Sequence, residues 1–430
     1  MIKLLLISDD FTGALDTGIQ FAQYGVYTKI ITNSNSNSNS NSNTEEDLFV
    51  ENGAEVLVID AETRHLSCEQ AYKIVYDLAK SAVLAGVSHI YKKTDSGLRG
   101  NIGSELKALL DASGENFLPF IPAYPQMNRV TIQGYHYVDG QLIRESVFGK
   151  DPFEPVISSE VRKLFDYKNT RIELLGQRES YNTDFEIPTI GIFDAESDDD
   201  IQNIAEYLNN KNQLKIMAGC AGFASFLPKL LNFKKREIKI PVPDQSMLVM
   251  CGSVNPISKN QIEYAEKKGF GRIVLTPKQQ LEEDYLPSQE GTLWIESLEN
   301  AFAEYPVVML DTGISELNTG NTYIYKNHMD LHEVRARIAS TLGEIIKKLL
   351  DINSGHTLMI IGGDTLLGFF NQIQCNEIFP VCELEAGTVL SYINYKNQKL
   401  WIISKSGGFG KQDIIYRIAR KLKLAGGMLC

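Results

Sequence analysis

Residues 2–22, IKLLLISDDFTGALDTGIQFA, contain the pattern that decides the fold. The run Ile2–Ile7 is short and mostly apolar, which is typical of a strand buried on both faces of a parallel sheet. A turn follows at Asp9–Gly13, and apolar residues then recur at helical spacing as far as Ala22. The stretch therefore predicts a strand, a turn and a helix in succession, which is the repeating unit of an α/β sheet.

The same unit recurs along the chain. We predict alternating strands and helices through the N-terminal half, and a second alternating series from Ser246 onwards. Between them lies KKREIKIPVPDQ, in which charges and two prolines disfavour packed structure. The sequence thus predicts two α/β domains with mostly parallel sheets, at 1–233 and 246–430, joined by a linker at 234–245. Gln133–Ile143 interrupts the pattern, and its Asp-Gly dipeptide predicts an antiparallel hairpin.

The composition excludes several classes of protein. Of 430 residues, 43% are hydrophobic and 22% are charged, as in ordinary globular chains. Lys and Arg number 42 against 54 Asp and Glu, so the net charge of −12 provides no general attraction for nucleic acid or an anionic membrane. No apolar run is long enough for a signal segment or a membrane span. Six cysteines without a CxxC pair indicate reduced thiols in a cytoplasmic protein. The Asn-Ser alternation at 33–43 has no apolar group to bury and predicts a surface loop.

Polar side chains follow three of the predicted strands in the first domain. Asp9 begins DDFTG after the first strand, Glu62 begins ETRH after the third, and the fourth runs into KKTDS at 92–96. Because ligands bind outside the carboxyl ends of strands in open α/β sheets, we expect these loops to form one site. Cations and hydroxyls bind a carboxylate, and carboxylates accept hydrogen bonds from hydroxyls, so the pattern predicts a site for a small hydroxylated anion. The residues that these loops would gather are Asp10, Arg64, Lys93, Asp95 and Ser96.

Each of these residues also has a simpler interpretation. Asp10 or Thr12 could cap the first helix, where such residues are favoured. Arg64 could be a solvated surface cation, and Lys92 with Lys93 could be an exposed charge pair. The coincidence of all three loops at strand ends favours the functional interpretation.

Glycines follow three predicted strands of the second domain. The sequences are CGSV before a helix, GGDT after LMII, and KSGGFG after WIIS. Glycine lets backbone N–H groups approach a phosphate closely, and a helix N-terminus favours negative charge. A lysine beside such a loop adds a point charge suited to phosphate. The pattern predicts a phosphate-rich ligand bound by these glycine loops and by Lys405.

Several familiar activities lack their motifs. The sequence has no G-x-x-x-x-G-K-[ST] of a P-loop NTPase and no G-x-G-x-x-G after its first strand. It has no G-x-S-x-G elbow of a hydrolase and no H-E-x-x-H. His328 and His332 are four apart beside Asp330 and Glu333, but a chance surface cluster explains them at least as well as a metal does. We therefore assign no metal ligand.

Six segments together resemble the motif series of the four-carbon acid sugar kinases. They are SDDFTGALD, YKKTDSGLRGNIGSEL, PAYPQMNRVTIQGYHYV, GSV, IIGGDT and SKSGGFG, in order over nearly the whole chain. The resemblance implies a first domain that binds a tetronate-type acid such as erythronate, threonate or an oxo-tetronate, and a second domain that binds ATP. Gly97 and Asn128 depart from the family pattern, which usually has Thr and Gly there, so the identity of the acid stays open.

Carried over by position, the resemblance assigns a role to each group of residues. It makes Asp9 or Asp10, Arg64 and Lys93–Ser96 the substrate contacts, and Ser258, Gly362–Thr365 and a glycine of Gly407–Gly410 the nucleotide contacts.

We therefore expect an ATP-dependent kinase that phosphorylates a hydroxyl of a four-carbon sugar acid, in a cleft between the domains. Phosphoryl transfer depends mostly on positioning and charge neutralisation. Asp95 or Asp10 would orient the attacking hydroxyl and accept its proton. Mg²⁺ is expected on the phosphates, with Asp364 as an indirect ligand.

Two other functions are weighed against this one. A nicotinamide-dependent sugar-acid dehydrogenase is disfavoured by the missing glycine fingerprint. A non-catalytic sugar-acid sensor is disfavoured because the glycine loops are intact. No nucleic-acid or membrane partner is expected, and the oligomeric state, including a homo-oligomer, stays open.

Overall fold

The structure is a computed structural model of the chain. It describes residues 2–32, 49, 53–151, 154–165, 167, 170–176, 181, 183–238, 246–253, 255–313, 331–353 and 355–424. The predicted loop at 33–43, the linker prolines and His328 lie outside the described residues. The chain divides into two compact units, Met1–Ile238 and Lys239–Cys430.

The first unit alternates strands and helices from its first residues onwards. Its strands are β1 Leu4–Ser8, β2 Thr28–Thr32, β3 Val56–Asp60, β4 His89–Lys93, β5 Phe117–Ile121, β6 Arg129–Ile132, β7 Tyr135–Val138, β8 Gln141–Leu142, β9 Arg171–Leu175, β10 Thr189–Phe193 and β11 Ile216–Gly219. Its helices are α1 Phe11–Ala22, α2 Cys68–Leu84, α3 Ile102–Ser113, α4 Asp198–Asn210, α5 Ala221–Ala224 and α6 Leu227–Leu230.

Eight of these strands form a parallel sheet in the order β2-β3-β1-β4-β11-β5-β10-β9. Every residue of β1, β3 and β5 is buried, as the apolar runs predicted, and so is every residue of β10, which the sequence analysis did not name. The α/β class is therefore confirmed. The helices begin at conventional caps: Ser67 and Gln70 form a capping box at α2, and Asp10 caps α1.

A small antiparallel sheet, β6-β7-β8, stands apart from the parallel one. The turn between β7 and β8 is Asp139-Gly140, and both residues have positive φ, 50° and 77°. This is the two-residue hairpin that the dipeptide predicted, since such turns require φ > 0 at both positions.

The second unit contains a seven-stranded sheet. Its strands are β12 Ser246–Cys251, β13 Gly271–Val274, β14 Val307–Asp311, β15 His356–Ile361, β16 Glu377–Glu385, β17 Thr388–Tyr395 and β18 Gln398–Lys405. Its helices are α7 Pro256–Lys267, α8 Pro277–Leu281, α9 Gln289–Ala301, α10 Leu331–Ile352, α11 Gly363–Ile373 and α12 Ile414–Lys421. The strand order is β13-β14-β12-β15-β18-β17-β16. The pairs from β13 to β18 are parallel, and β17 runs antiparallel to both β18 and β16.

The division at Ile238 and Lys239 falls inside the segment 234–245. The assignment of the sugar acid to one unit and the nucleotide to the other stays a prediction. Among the described helices, none is long and apolar enough to cross a membrane. The described cysteines are free thiols, of which Cys68 is exposed.

Candidate active site

The three polar loops of the first unit start at one edge of its sheet. Strand β1 lies between β3 and β4, and Ser8 is in register with Asp60 on one side and Lys93 on the other. The carboxyl ends of the three strands are thus side by side. The expectation that their loops share one edge is confirmed.

Arg64 is buried between two carboxylates. Its Nε donates to Asp9 Oδ2 at 2.8 Å, and its Nη1 donates to Asp10 Oδ2 at 2.6 Å. Only 9% of its side chain is exposed, so the interpretation of Arg64 as a solvated surface cation is wrong. Burial opposes ionisation of Asp9, but the charges of Arg64 and the neighbouring lysines hold the pKa of Asp9 below its usual value.

Asp10 has two contacts at once. Its Oδ1 accepts from the backbone N–H of Gly13 at 2.8 Å and caps α1, while its Oδ2 accepts from Arg64. The capping interpretation of Asp10 is therefore correct, and it does not displace the contact with the arginine. A Cβ on Gly13 would lie within 2.8 Å of Asp10 Oδ1, Lys93 Nζ and Ser8 Oγ. Glycine at this position is what allows those three groups to converge.

Lys92 and Lys93 lie on opposite faces of the sheet. The side chain of Lys92 is fully buried, and its Nζ lies 3.0 Å from Oε2 of Glu105 in α3. Glu105 also accepts a hydrogen bond from Thr63, and burial raises its pKa. Lys93 is 6% exposed and faces α1. The interpretation of the two lysines as an exposed charge pair is wrong.

Lys93 has no direct partner in the part of the chain that the structure describes. Its Nζ makes no hydrogen bond or ion pair there, although the charge of Lys93 lowers the pKa of both Asp9 and Asp95. The next residue, Thr94, is completely buried, and its Oγ1 has no hydrogen-bond partner. A buried cation and a buried hydroxyl without partners are suited to an anionic, hydroxylated ligand.

Asp95 is a buried carboxylate paired with an arginine. Its Oδ2 accepts from Arg99 Nε at 2.7 Å and from the Arg99 backbone N–H at 3.3 Å. Burial disfavours the charged form, but Arg64 and Arg99 outweigh it, so the pKa of Asp95 lies far below its usual value. Asp95 therefore accepts hydrogen bonds and does not donate them at neutral pH.

Ser96 is held by two residues that the sequence analysis did not single out. An Nη1–H of Arg129 donates to its hydroxyl, and His136 Nε2 lies 3.1 Å from its carbonyl oxygen. Burial lowers the pKa of His136 to about 4, so the ring is neutral. Nε2–H donates to the carbonyl, and Nδ1 accepts from Thr131 Oγ1 at 3.0 Å.

The departure from the family pattern at Gly97 has a physical counterpart in the structure. A Cβ there would lie 2.4 Å from Cε1 of Phe148, so the ring occupies the space of any larger side chain. The same ring lies 5.3 Å from Cζ of Arg99 and 5.0 Å from Cζ of Arg129. Asn128, the other departure, has φ 52° and ends a short 3₁₀ turn.

The three glycine loops of the second unit follow β12, β15 and β18. A Cβ on Gly407 would lie 2.2 Å from Ser253 Oγ, so the first and third loops are in contact. Ser258 is buried in α7, and its hydroxyl donates to the Gly407 carbonyl at 2.8 Å. Gln261 is also buried, and its amide donates to three successive carbonyls of the third loop at 2.9–3.1 Å.

The second loop and Lys405 complete this set of residues. Gly362 has φ 116°, which only glycine adopts readily, and it leads directly into α11. Thr365 is buried in the first turn of that helix, and Asp364 pairs with Arg335 at 2.9 Å. Lys405 is buried at the end of β18, and burial lowers its pKa to about 8. Lys405 Nζ donates to the Ser406 carbonyl at 2.9 Å. A glycine at a helix N-terminus and a buried lysine are groups that suit phosphate.

The described His, Cys, Asp and Glu side chains do not form a site for a resident metal ion. Within the described ranges, no three His, Cys, Asp or Glu side chains are arranged to hold one. Asp364, the expected indirect ligand, is engaged with Arg335.

The sequence analysis missed several residues that shape the two sites. Those that lie within the quoted motifs are Glu105, Arg129 and His136. Phe148 and Gln261 lie outside every quoted motif. No sequence signal pointed to these two, because their role comes from tertiary contacts alone.

Two family models match this chain, one in each of its two units. Residues 4–227 match the family model of a sugar-binding N-terminal domain, and residues 248–415 match that of a nucleotide-binding C-terminal domain. A D-threonate kinase of Salmonella typhimurium is 25% identical, covering 96% of this chain and 97% of the relative. A D-erythronate kinase of Heliobacterium modesticaldum is 24% identical, with 85% and 84% covered.

Shorter and structural matches agree with these. A 3-oxo-tetronate kinase of Escherichia coli is 32% identical over 40% of this chain and 42% of its own. The solved structure of a Haemophilus influenzae protein superimposes with a TM-score of 0.71 at 20% identity, covering 99% of this chain and all of that one. At this level of identity, the superposition shows that the two proteins share a fold.

Proposed function

Because the chain belongs to the four-carbon acid sugar kinase family, we propose that it transfers the terminal phosphate of ATP to a hydroxyl of a four-carbon sugar acid. The observation that carries the proposal is the edge of the first sheet. There Lys93, a buried cation without a direct partner in the described chain, adjoins the buried carboxylates Asp9 and Asp95. Such a set binds a small molecule that carries both a carboxylate and hydroxyls.

In this proposal the first unit holds the acid. The contacts come from Asp9, Asp10, Arg64, Lys93, Thr94, Asp95 and Ser96. Arg64 already pairs with Asp9 and Asp10, so its main effect is to hold both carboxylates in place. Fixed carboxylates then accept hydrogen bonds from the hydroxyls of the substrate.

Asp95 is the preferred partner of the attacking hydroxyl. Both carboxylate oxygens of Asp10 are engaged, by Gly13 and by Arg64, whereas both hydrogen bonds from Arg99 to Asp95 go to Oδ2 alone. Oδ1 of Asp95 thus has capacity to accept. Since the pKa of Asp95 is low, it is a weak base, and its main task is orientation. That suits the loose transition state of phosphoryl transfer, in which the proton leaves late.

The second unit holds the nucleotide in this proposal. Its residues are Ser258, Gly362, Gly363, Asp364, Thr365, Lys405, Gly407 and Gly408. Backbone amides of the glycine loops and the ammonium of Lys405 bind the phosphates. Mg²⁺ enters as part of the MgATP substrate, where it neutralises phosphate charge. A cleft between the units, a cytoplasmic location and any homo-oligomer stay predictions.

The two alternatives gain nothing from the structure. A dehydrogenase requires a dinucleotide fingerprint that the first strand lacks, and the three relatives described above are named as kinases. A sensor without catalysis has no need for the groups suited to phosphate at Lys405 and Gly407.

The test is an ADP-release assay with each stereoisomer of threonate and erythronate and with 3-oxo-tetronate. We expect ATP-dependent ADP release with at least one acid. Lys93→Ala should reduce kcat/KM for that acid by about tenfold to a hundredfold, because a charge-assisted hydrogen bond contributes roughly 1.5–3 kcal/mol. ADP release with none of the acids, or nicotinamide reduction in their presence, would contradict the proposal.

A further inference from the structure

The basic side chains around the candidate acid site differ in whether a carboxylate neutralises them. Three have carboxylate partners within the same unit. These ion pairs are Lys92 with Glu105, Arg64 with Asp9 and Asp10, and Arg99 with Asp95 and Asp151. Their charges are therefore largely satisfied before any ligand arrives.

Arg129 is different from those three. Among the described residues, no carboxylate pairs with it. Its Nη1–H donates to the neutral hydroxyl of Ser96, and its Nε is buried without a hydrogen-bond partner. Leaving a charged donor buried and unsatisfied is costly, so the arrangement favours an anion at this guanidinium.

A short series of contacts links the segment that carries Lys93 to the segment that carries Arg129. The backbone N–H of Thr94, next to Lys93, donates to the Gly219 carbonyl at 2.8 Å, and Gly219 precedes Cys220. The thiol of Cys220 donates to the Ala123 carbonyl at 3.1 Å. Arg129 pairs through its backbone with the residue after Ala123.

Electrostatics place the two cations together as well. Burial raises the pKa of the Cys220 thiol, and the charges of Lys93 and Arg129 both oppose that rise. Each cation is thus close enough to act on the same buried group. Neither has a carboxylate partner in the described part of the chain.

Phe148 fixes the direction of Arg129. Cζ of Arg129 lies 5.0 Å from the centre of the ring, within the range of a cation–π contact. The ring is itself seated against Gly97, where no Cβ would fit. The guanidinium is therefore ordered before binding, which lowers the entropy lost when a ligand binds.

We propose that Arg129 and Lys93 together bind the carboxylate of the acid substrate, with Phe148 as a positioning residue for Arg129. The inference rests on the proposed function, since it takes a sugar acid as the ligand of this site. It assigns the carboxylate to two cations that no carboxylate of the described residues neutralises, and it leaves Arg64 to fix Asp9 and Asp10. The planar fork of an arginine matches a carboxylate, and Lys93 adds a point charge.

The experiment compares the preferred acid with its neutral, nearly isosteric amide. Wild type should prefer the acid in kcat/KM by about tenfold to a hundredfold. Arg129→Gln should reduce that preference by about threefold to tenfold, with Lys93 accounting for what remains, while the KM for ATP stays within about threefold. Calorimetry of the acid without nucleotide should show the same loss of affinity independently of catalysis.

Arg171→Gln is the matched control. Arg171 is an exposed arginine of the same unit, and it also stacks on a phenylalanine, Phe185, at 5.3 Å. It should leave both the preference and the acid affinity unchanged. Arg129→Lys keeps the charge, so it should retain a preference for the acid with a raised KM. Phe148→Leu should raise the KM for the acid more than it lowers kcat.

Three results separate the outcomes. An unchanged preference in a folded Arg129→Gln protein, judged by its thermal melt, would overturn the inference. An equal loss for acid and amide would also overturn it, because Arg129 would then serve only to hold Ser96. If wild type neither binds nor phosphorylates any four-carbon acid, the proposed function itself fails, and the carboxylate assignment fails with it.

Discussion

Replacing Asp95 by asparagine separates a role in catalysis from a role in structure. The change keeps the size of the side chain and removes its charge. The amide oxygen can still accept from Arg99, but the charge-assisted bond at 2.7 Å becomes an ordinary one. The electrostatic contribution from Arg64 and Lys93 is lost at the same time.

These contacts set the expected size of two effects, one on kcat and one on stability. Loss of the acceptor for the substrate hydroxyl should lower kcat by about 10²–10⁴, the range for a lost general base. Converting a charge-assisted hydrogen bond into a neutral one should cost about 1–2 kcal/mol of stability. For a unit of this size that corresponds to a fall in Tm of roughly 2–8 °C.

The pH dependence of stability gives an independent check. The folded-state pKa of Asp95 lies below its unfolded value of about 3.9, so its stabilisation is complete above that pH and is lost as the pH falls through the folded pKa. The difference in Tm between wild type and Asp95→Asn should therefore be constant near neutrality. It should shrink in acid, below about pH 4.

Asp151→Asn is the control for this prediction. Asp151 contacts the same arginine, Arg99, at 3.4 Å, and it has no assigned role in the site. It should change kcat by less than about threefold, the scale of a rate effect without a lost catalytic group. A folded Asp95→Asn enzyme with kcat within a few-fold of wild type would refute the argument, because Asp95 would then only position Arg99. Asp10→Asn, measured in parallel, shows which aspartate orients the hydroxyl.

Three further predictions concern the rest of the molecule. Burial lowers the pKa of Lys405 to about 8, so its positive charge is lost as the pH rises through that value. We expect kcat/KM for ATP, measured against pH, to fall above about pH 8. Lys405→Arg keeps its charge in this range and should abolish the fall. Gly407→Ala would place a Cβ 2.2 Å from Ser253 Oγ, and steady-state kinetics should show a KM for ATP raised about tenfold or more with little change for the acid. Glu105→Gln leaves the charge of Lys92 buried without its partner. Denaturant unfolding should therefore show a free energy of unfolding lower by about 3–5 kcal/mol. Replacing both residues by apolar ones should largely restore it.

The sequence was sufficient where one short segment carries the whole signal. Apolar runs such as Leu4–Ser8 predicted the parallel strands within about two residues, because a strand buried on both faces needs little else. The Asp139-Gly140 hairpin was predictable for a similar reason, since its turn has a specific residue requirement. The sequence analysis did not name β9, β10, β11, β14, β16 or β17. Strand β16 contains a proline and two register irregularities, so its alternation is broken.

The side-chain contacts of the candidate site were harder to predict from the sequence than the strands were, because they join segments that are far apart along the chain. Arg129 meets Ser96 across 33 residues, and Gln261 meets the loop at Phe409 across 148. Short motifs mark the loops that carry such residues, but they do not say which side chain of a loop reaches another. Phe148 shows the limit most clearly, since its position is fixed by the absence of a side chain at Gly97.

The pair Lys92 and Lys93 shows why identity and spacing alone could not assign roles. The two residues are the same type, they are adjacent, and both are buried at the end of β4. Successive side chains of a strand point to opposite faces, so Lys92 lies on the α3 side and meets Glu105, whereas Lys93 lies on the α1 side above Gly13. Only one of the two faces supplies a carboxylate partner within the described chain. The uncompensated charge at this edge therefore belongs to Lys93, and the position of the helices around the strand, rather than the motif, determines which lysine is available to a substrate.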